Sequence, residues 1–253
     1  MTKISCFQNK NILVLGGSFG IGEALVKEFA SQGANLIVVA RSVDKITEIL
    51  SVVSGKHIAV ECDVTIDDNW KNLITEVEKT FNNIDLIVFS VGTYKPMGLD
   101  DFDIKTSLMT IDVNLISFVK FIEYFKPLIK AKKIKHLAVI SSIAGYFGMP
   151  NSIAYGSSKA GLSNLVESLK YEFFQYDIKV QLINPGFVKS RLTDQNNFSM
   201  PFLISAEKAA KIIIKNLRTN KFEIAFPWAF NFIMKFLRFL PFSTRFFIVK
   251  YAK

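Results

Sequence analysis

Two side chains in the stretch "AYGSSK", residues 154–159, are spaced for proton chemistry: Tyr155 stands four residues ahead of Lys159. On a helix the phenol and the ammonium would share one face, a turn apart. A phenol titrates near ~10 and an ammonium near ~10.4. Nearby positive charge favours phenolate, so Lys159 is expected to draw the Tyr155 pKa down toward neutrality. A tyrosine tuned that way gives a proton to a carbonyl oxygen or takes one from an alcohol. A half-buried aromatic beside a solvated lysine would have the same spelling, so the rest of the chain must decide. A second constellation is "LGGSFGIG", with Gly16, Gly20 and Gly22 around Ser18, Phe19 and Ile21. Glycines at a strand-to-helix turn let backbone amides approach a pyrophosphate that then rests on the helix N-terminus.

The elements that must position these residues follow from periodicity. "NILVLGG" reads as a strand and "GIGEALVKEFASQG" as a helix closed by Gly33. Then come "NLIVVA" as a strand, "SVDKITEILSVVSG" as a helix, "HIAVECDV" as a strand and "DDNWKNLITEVEKTF" as a helix. "IDLIVFSVG" is the next strand, followed by one long helix over roughly 104–131 and the strand "KHLAVISS". "AYGSSKAGLSNLVESLKYEFF" reads as a helix, "IKVQLINPG" as a strand, "RLTDQNNFSMP" as irregular, and "SAEKAAKIIIKNL" as a helix capped by Ser205. Several strands are continuously apolar, as when helices cover both sheet faces. The expected fold is therefore α/β, a single-domain doubly wound parallel sheet over residues 1–253.

The 253 residues are long enough for one large core, and half of them are hydrophobic. The mean hydropathy is +0.28. A net charge of +9 permits acidic partners without selecting one. Cys6 and Cys62 have neither disulfide nor zinc spacing, which fits a reducing, cytoplasmic compartment. The N-terminus lacks a signal-peptide cleavage pattern, and no stretch reaches ~20 uncharged apolar residues. His57 and His136 are read as strand-edge residues without a function. The acidic clusters Asp67–Asp68 and Asp100, Asp101 and Asp103 are read as helix starts or solvated loops.

The glycine spacing G-x-x-x-G-x-G, joined to Y-x-x-x-K downstream, resembles the short-chain dehydrogenase/reductase family over about residues 10–205. The resemblance implies a Rossmann-like fold, a nicotinamide cofactor and hydride transfer between that cofactor and a carbonyl or alcohol carbon. It implies that Asp63 and Val64 in "CDV" meet the adenine, and that Asn114 in "DVNLIS" is the catalytic asparagine, holding a water that relays protons to Lys159. It further implies Ser142, thirteen residues before Tyr155, as the hydroxyl that holds the substrate oxygen. Tyr155 is the implied proton donor, and Lys159 the group holding the ribose. Pro185, Gly186 and Val188 in "NPGFV" are implied to cradle the nicotinamide, with Ser190 taking its amide. Asn114 could instead simply cap or bend its helix, and Ser141 could stand in for Ser142. Leu15 replaces the usual threonine before the turn. "SVG", with Ser90 and Gly92, replaces Asn-Ala-Gly, so Ser90 offers fewer hydrogen bonds than the usual amide.

Cofactor choice turns on "IVVARS". Ala40 leaves vacant the place where an acid would take a ribose 2′-hydroxyl, and Arg41 offers a planar guanidinium suited to a 2′-phosphate. The expectation is NADP(H); a merely solvated Arg41 is the alternative. Residues 221–253 form a tail with six basic residues against Glu223 alone, a net +5. From about residue 226 it is expected to form amphipathic helices. Their aromatic and basic composition suits an anionic membrane surface. Equally, they could pack over the substrate pocket or in the interface of a homo-dimer or homo-tetramer. The greasy tail points to an apolar, lipid-like carbonyl or alcohol substrate. A non-catalytic NADP-binding regulator is the alternative function, but such proteins usually lose the tyrosine or lysine, and both are kept here. A nucleic-acid binder is disfavoured because basic residues are scattered outside the tail and no recognition motif accompanies them.

Overall fold

The computed structural model describes residues 6–52, 55–195 and 198–251. Val53 and Ser54 of the expected second helix, Asn196 and Asn197 of the polar stretch, and Lys253 of the tail lie outside them.

Seven parallel strands form one sheet in the order β3-β2-β1-β4-β5-β6-β7. They are β1 Asn11–Leu15, β2 Asn35–Ala40, β3 His57–Glu61, β4 Leu86–Phe89, β5 His136–Ile140, β6 Lys179–Pro185 and β7 Glu223–Phe226. Nine α-helices are described: α1 Gly20–Ser31, α2 Asp44–Ser51, α3 Asp67–Thr80, α4 Ile104–Ile111, α5 Ser117–Lys130, α6 Ile153–Glu172, α7 Ala206–Leu217, α8 Trp228–Phe239 and α9 Phe242–Tyr251. The strand order reverses between β1 and β4. The carboxyl ends of the strands at such a reversal are where doubly wound sheets bind ligands.

Both sheet faces are buried, which explains the unbroken apolar strands. On one face α1 and α7 pack with Leu25, Val26, Phe29, Ile213 and Leu217 in the interior. On the other, α3, α5 and α6 enclose an aromatic cluster. In it Phe121 lies 4.5 Å from Phe125 and 5.4 Å from Phe118, centroid to centroid. Ser205 caps α7 as expected, accepting from the Lys208 amide at 3.2 Å. Asp67 and Asp68 open α3, and Asp103 caps α4 by accepting from Thr106 N at 2.8 Å.

Four sequence expectations need correction. The long helix over 104–131 is interrupted by a π-helical turn at Asp112–Ile116 between α4 and α5. The third strand ends at Glu61, which leaves Asp63 and Val64 in the loop beyond it. His136 is not at an exposed edge; it is buried in β5, and burial, with help from the Lys179 charge, pushes its pKa down to about 3. The segment 221–253 is more than an appendage to the sheet, because Glu223–Phe226 pairs with β6 as its seventh strand.

The aromatic cluster fixes how α5 sits on the sheet. Phe121→Ala should cost about 3–5 kcal/mol through lost burial and the cavity left behind. Chemical denaturation of the two proteins checks this; a loss below about 1 kcal/mol would show that the cluster collapses freely around the gap.

Candidate active site

The turn after β1 is built by backbone contact. Gly16 has φ +85° and Gly20 φ +57°, both in the region that disfavours side chains. A Cβ on Gly22 would lie 1.9 Å from the Gly16 carbonyl oxygen, and one on Gly16 would lie 2.7 Å from the Ser90 carbonyl oxygen. Ser90 donates its amide to Leu15 O at 2.8 Å, so the ends of β1 and β4 close directly against the turn. Leu15, in place of threonine, is buried in the core. Phe19 stands at the start of α1 and provides no capping hydrogen bond. The first-turn amides of α1 are thus available to an anion. The only first-turn acid, Glu23, is engaged by Lys27 at 2.8 Å and Lys45 at 2.6 Å.

At the carboxyl end of β3, Asp63 accepts from the Thr65 amide and hydroxyl at 2.9 and 2.7 Å through one oxygen. Its own amide donates to Asn69 at 2.7 Å. Burial works against its charge, but the two Thr65 bonds, aided by Arg41 and Lys120, hold its pKa below the usual value. Val64 is buried, its carbonyl taken by the Trp70 indole at 2.8 Å. Arg41 is exposed at the end of β2, close enough to influence Asp63.

Tyr155 and Lys159 do share a face of α6. The Lys159 ammonium is buried, lies 6.0 Å from the Tyr155 ring centroid and donates to Ile140 O at 3.2 Å. Ser142 is near enough to the phenol to favour its charged form. Ser141 is committed elsewhere: its hydroxyl bonds Lys159 O at 3.0 Å and Ser163 at 2.9 Å, so Ser142 is the serine that meets Tyr155. The expected electrostatics are overturned. Burial raises the Tyr155 pKa, with only Ser142 opposing it, and burial pushes Lys159 down to about 8. Removing both groups from water penalises both charged forms, and that outweighs the pull expected from one turn's spacing.

Asn114 sits in the π turn, fully buried. Its Nδ2 donates to Thr93 O at 2.9 Å and Ser158 Oγ at 3.0 Å, and its Oδ1 accepts from Thr93 N at 2.7 Å. It therefore both bends its helix and ties it to the β4 loop and α6. A Cβ on Gly92 would lie 3.4 Å from Lys159 Nζ and 3.6 Å from Asn114 Oδ1, so these two atoms face the same small space.

The loop after β6 packs against β7, α8 and the glycine turn. Pro185 ends the strand, Gly186 N donates to Phe226 O at 2.7 Å, and Val188 bridges to Ile204. A Cβ on Gly186 would meet Phe230 of α8 at 2.8 Å. A Cβ on Gly20 would lie 3.3 Å from Ser190 Cβ, which puts Ser190 beside the glycine turn of Ser18 and Ile21.

Several neighbours carry no signal in the sequence. Tyr94 packs edge-on to Tyr155 at 4.7 Å, and burial and Tyr155 raise its pKa to about 12. The Arg191 guanidinium carbon sits 3.2 Å from the Phe19 ring centroid, and Lys45 Nζ sits 4.4 Å from it. Phe187, Phe198, Phe202 and Phe230 form a chain of ring contacts 5.5 to 6.2 Å apart. No group of His, Cys, Asp and Glu suited to a metal occurs among the described residues.

Residues 10–200 match the sequence profile of the short chain dehydrogenase family. A 3-oxoacyl-(acyl-carrier-protein) reductase of Rickettsia typhi is 31% identical over 197 residues, covering 76% of this chain and 78% of that one. A short chain dehydrogenase/reductase of Burkholderia phymatum in complex with NAD superposes with a TM-score of 0.82 at 17% identity, over 93% of this chain and 94% of that one. A short chain dehydrogenase of Burkholderia cenocepacia in complex with NADP gives 0.80 at 19% identity, over 92% and 94%. With its glycine turn, its Tyr155–Lys159 pair and a profile match over most of its length, this chain belongs to the short-chain dehydrogenase/reductase family of nicotinamide-dependent oxidoreductases.

Proposed function

We propose that the protein is an NADP(H)-dependent reductase of apolar carbonyl compounds, running in reverse as an alcohol dehydrogenase. The observation that carries the reading is the Tyr155 ring 6.0 Å from a buried lysine ammonium that is anchored on the end of β5.

The residues fit a dinucleotide. The glycine turn has no room for side chains, α1 presents an uncapped N-terminus, and Asp63 has an oxygen not used by Thr65. Gly16, Gly20 and Gly22 would hold the pyrophosphate, Asp63 and Val64 the adenine, and Lys159 the ribose hydroxyls, with Nζ donors beyond the one spent on Ile140. Arg41 would take a 2′-phosphate, which is the basis for choosing NADP(H). When bound, the reduced cofactor supplies hydride to a carbonyl carbon.

The chain supplies the proton and the alignment. Ser142 donates a hydrogen bond to the substrate oxygen and holds it against Tyr155. The raised pKa keeps Tyr155 a neutral phenol, the form that donates. An oxygen gaining alkoxide character is a far stronger base than phenolate, so the transfer remains favourable. Asn114 Oδ1 keeps a lone pair for a water in the space it shares with Lys159 against Gly92, which would return a proton toward the phenol. The chain of phenylalanines from Phe187 to Phe230 supports an apolar substrate, since a polar one would leave its hydrogen bonds unmet.

Three results are expected. Tyr155→Phe should lower NADPH-dependent reduction of long-chain ketones by about 10²-fold or more while NADPH affinity changes little, because one hydroxyl is lost and the ring remains. Stopped assays with fluorescence titration of NADPH check both halves; a fully active variant rejects the mechanism.

NADPH should bind at least about tenfold more tightly than NADH, a preference of about 1.4 kcal/mol that Arg41→Ala should erase. Equal affinities in the unmodified protein would leave Arg41 a solvated residue.

Lys159 should also mark the pH dependence of stability. Below pH 8 it is charged folded and unfolded, and burial penalises the folded form. As pH rises from about 8 to the ordinary value near 10.5, the folded lysine loses its proton first, so this penalty is relieved. Cys62 and Tyr94, whose values are raised to about 11 and 12, act with the opposite sign, so the comparison must be with Lys159→Met. That variant should be the more stable at neutral pH, by about 3 kcal/mol, and the gap should close by pH ~10.5. Denaturation curves across this range decide it; a gap independent of pH would mean that the lysine is not held down.

A further inference from the structure

Helix α8 is apolar almost all round. Its one buried residue is Met234; on its flank Asn231 accepts from Tyr146 at 2.8 Å, and Lys235, with its side chain 41% exposed, pairs with the Glu223 carboxylate. Its outward arc carries Trp228, Phe232, Phe236 and Phe239, with Trp228 79% and Phe239 85% exposed. A surface helix of a globular domain normally turns a polar face outward. Helix α9 also exposes aromatics. Arg245 is buried, its guanidinium over the Phe147 and Phe242 rings at 5.1 and 4.6 Å, while Phe246 and Phe247 face outward.

The charges of the segment are sorted in the same way. Its one acid, Glu223, is engaged by Lys235, Tyr146 and Asn184. Burial opposes the Glu223 charge, yet those bonds hold its pKa low. No acid follows it in the chain. The outward charges on α8 and α9 are therefore Arg238 and Lys250, both positive and both exposed.

We propose that the outer faces of α8 and α9 dock on the surface of an anionic lipid bilayer. Aromatic side chains enter the interfacial layer, and Arg238 and Lys250 meet the headgroups. The helices lie on the surface rather than cross it. At 12 and 10 residues they span roughly 18 and 15 Å, half of a hydrocarbon core, and Pro241 separates them. A second copy of the chain suits this face poorly. An isologous contact would set cation against cation with no acid to pair them.

The fluorescence of the full-length protein gives a direct reading, because of its two tryptophans Trp70 is fully buried and Trp228 is exposed. Adding vesicles of phosphatidylcholine mixed with phosphatidylserine should shift the Trp228 emission to the blue and carry the protein into the pellet. Pure phosphatidylcholine should do so far less. Raising salt from about 0.1 to about 1 M, which shortens the Debye length from roughly 10 to 3 Å, should weaken the binding. Arg238→Glu should weaken it about fivefold or more. The double change Phe236→Ser with Phe239→Ser, at exposed positions that leave the fold intact, should weaken it at least about tenfold. Unchanged NADPH affinity in both variants checks the fold. The proposal is overturned if the protein stays in solution with anionic vesicles, or if the double variant binds them as the unmodified protein does. It is equally overturned if sedimentation shows a lipid-indifferent oligomer that the double variant dissociates.

Discussion

The site depends on a backbone contact too tight for side chains. The Gly16 carbonyl lies where a Cβ of Gly22 would be, and the Ser90 carbonyl where a Cβ of Gly16 would be. That contact brings the end of β4 against the turn after β1, and the loop from Phe89 then sets Gly92 against Lys159, whose ammonium is anchored on Ile140 O. It is also why Ser90 can replace a larger amide: its hydroxyl would sit 3.2 Å from a Gly22 Cβ, in space already nearly filled. The geometry rests on excluded volume, and the hydrogen bonds are arranged around it.

Burial then sets the chemistry. Lys159 and Asn114 are almost wholly withdrawn from solvent, and each is surrounded by backbone carbonyls or hydroxyls rather than by carboxylates. A lysine in that setting holds its proton weakly and a tyrosine holds its own firmly. Such perturbed groups gathered in a crevice are what a proton-transfer site requires.

Much of this was legible in the residues. The turn glycines, Ser142 at its distance from Tyr155, and the alternation of strands and helices all carry patterns that a sequence reading can use. What escaped was tertiary. Glu223–Phe226 is four residues long, begins with an acid and runs into Pro227, so nothing local marks it as a strand; pairing with β6 makes it one. The π turn at Asn114 lies inside an unbroken helical pattern and is paid for by side-chain bonds to Thr93 and Ser158, which are 21 and 44 residues away. The sign of the Tyr155 shift depends on depth, and the spacing of Tyr155 and Lys159 says nothing of depth. The aromatic richness of the tail was plain, but which aromatics face outward depends on Glu223 capturing Lys235 from within.

That carboxylate has a mechanical consequence. Glu223 holds α8 through Lys235 and, at 2.5 Å, holds Tyr146, four residues beyond Ser142; Tyr146 in turn reaches Asn231. The outer helix and the loop that carries Ser142 are therefore clasped by one shared anion. Whatever displaces α8 strains the same joint that locates Ser142, and whatever repositions Ser142 strains the seat of α8. If ligation on one side favours one setting of this joint, thermodynamic reciprocity requires an equal bias on the other. Glu223 thus ties the outer surface of the molecule to the loop of Ser142 by a short chain of side-chain bonds.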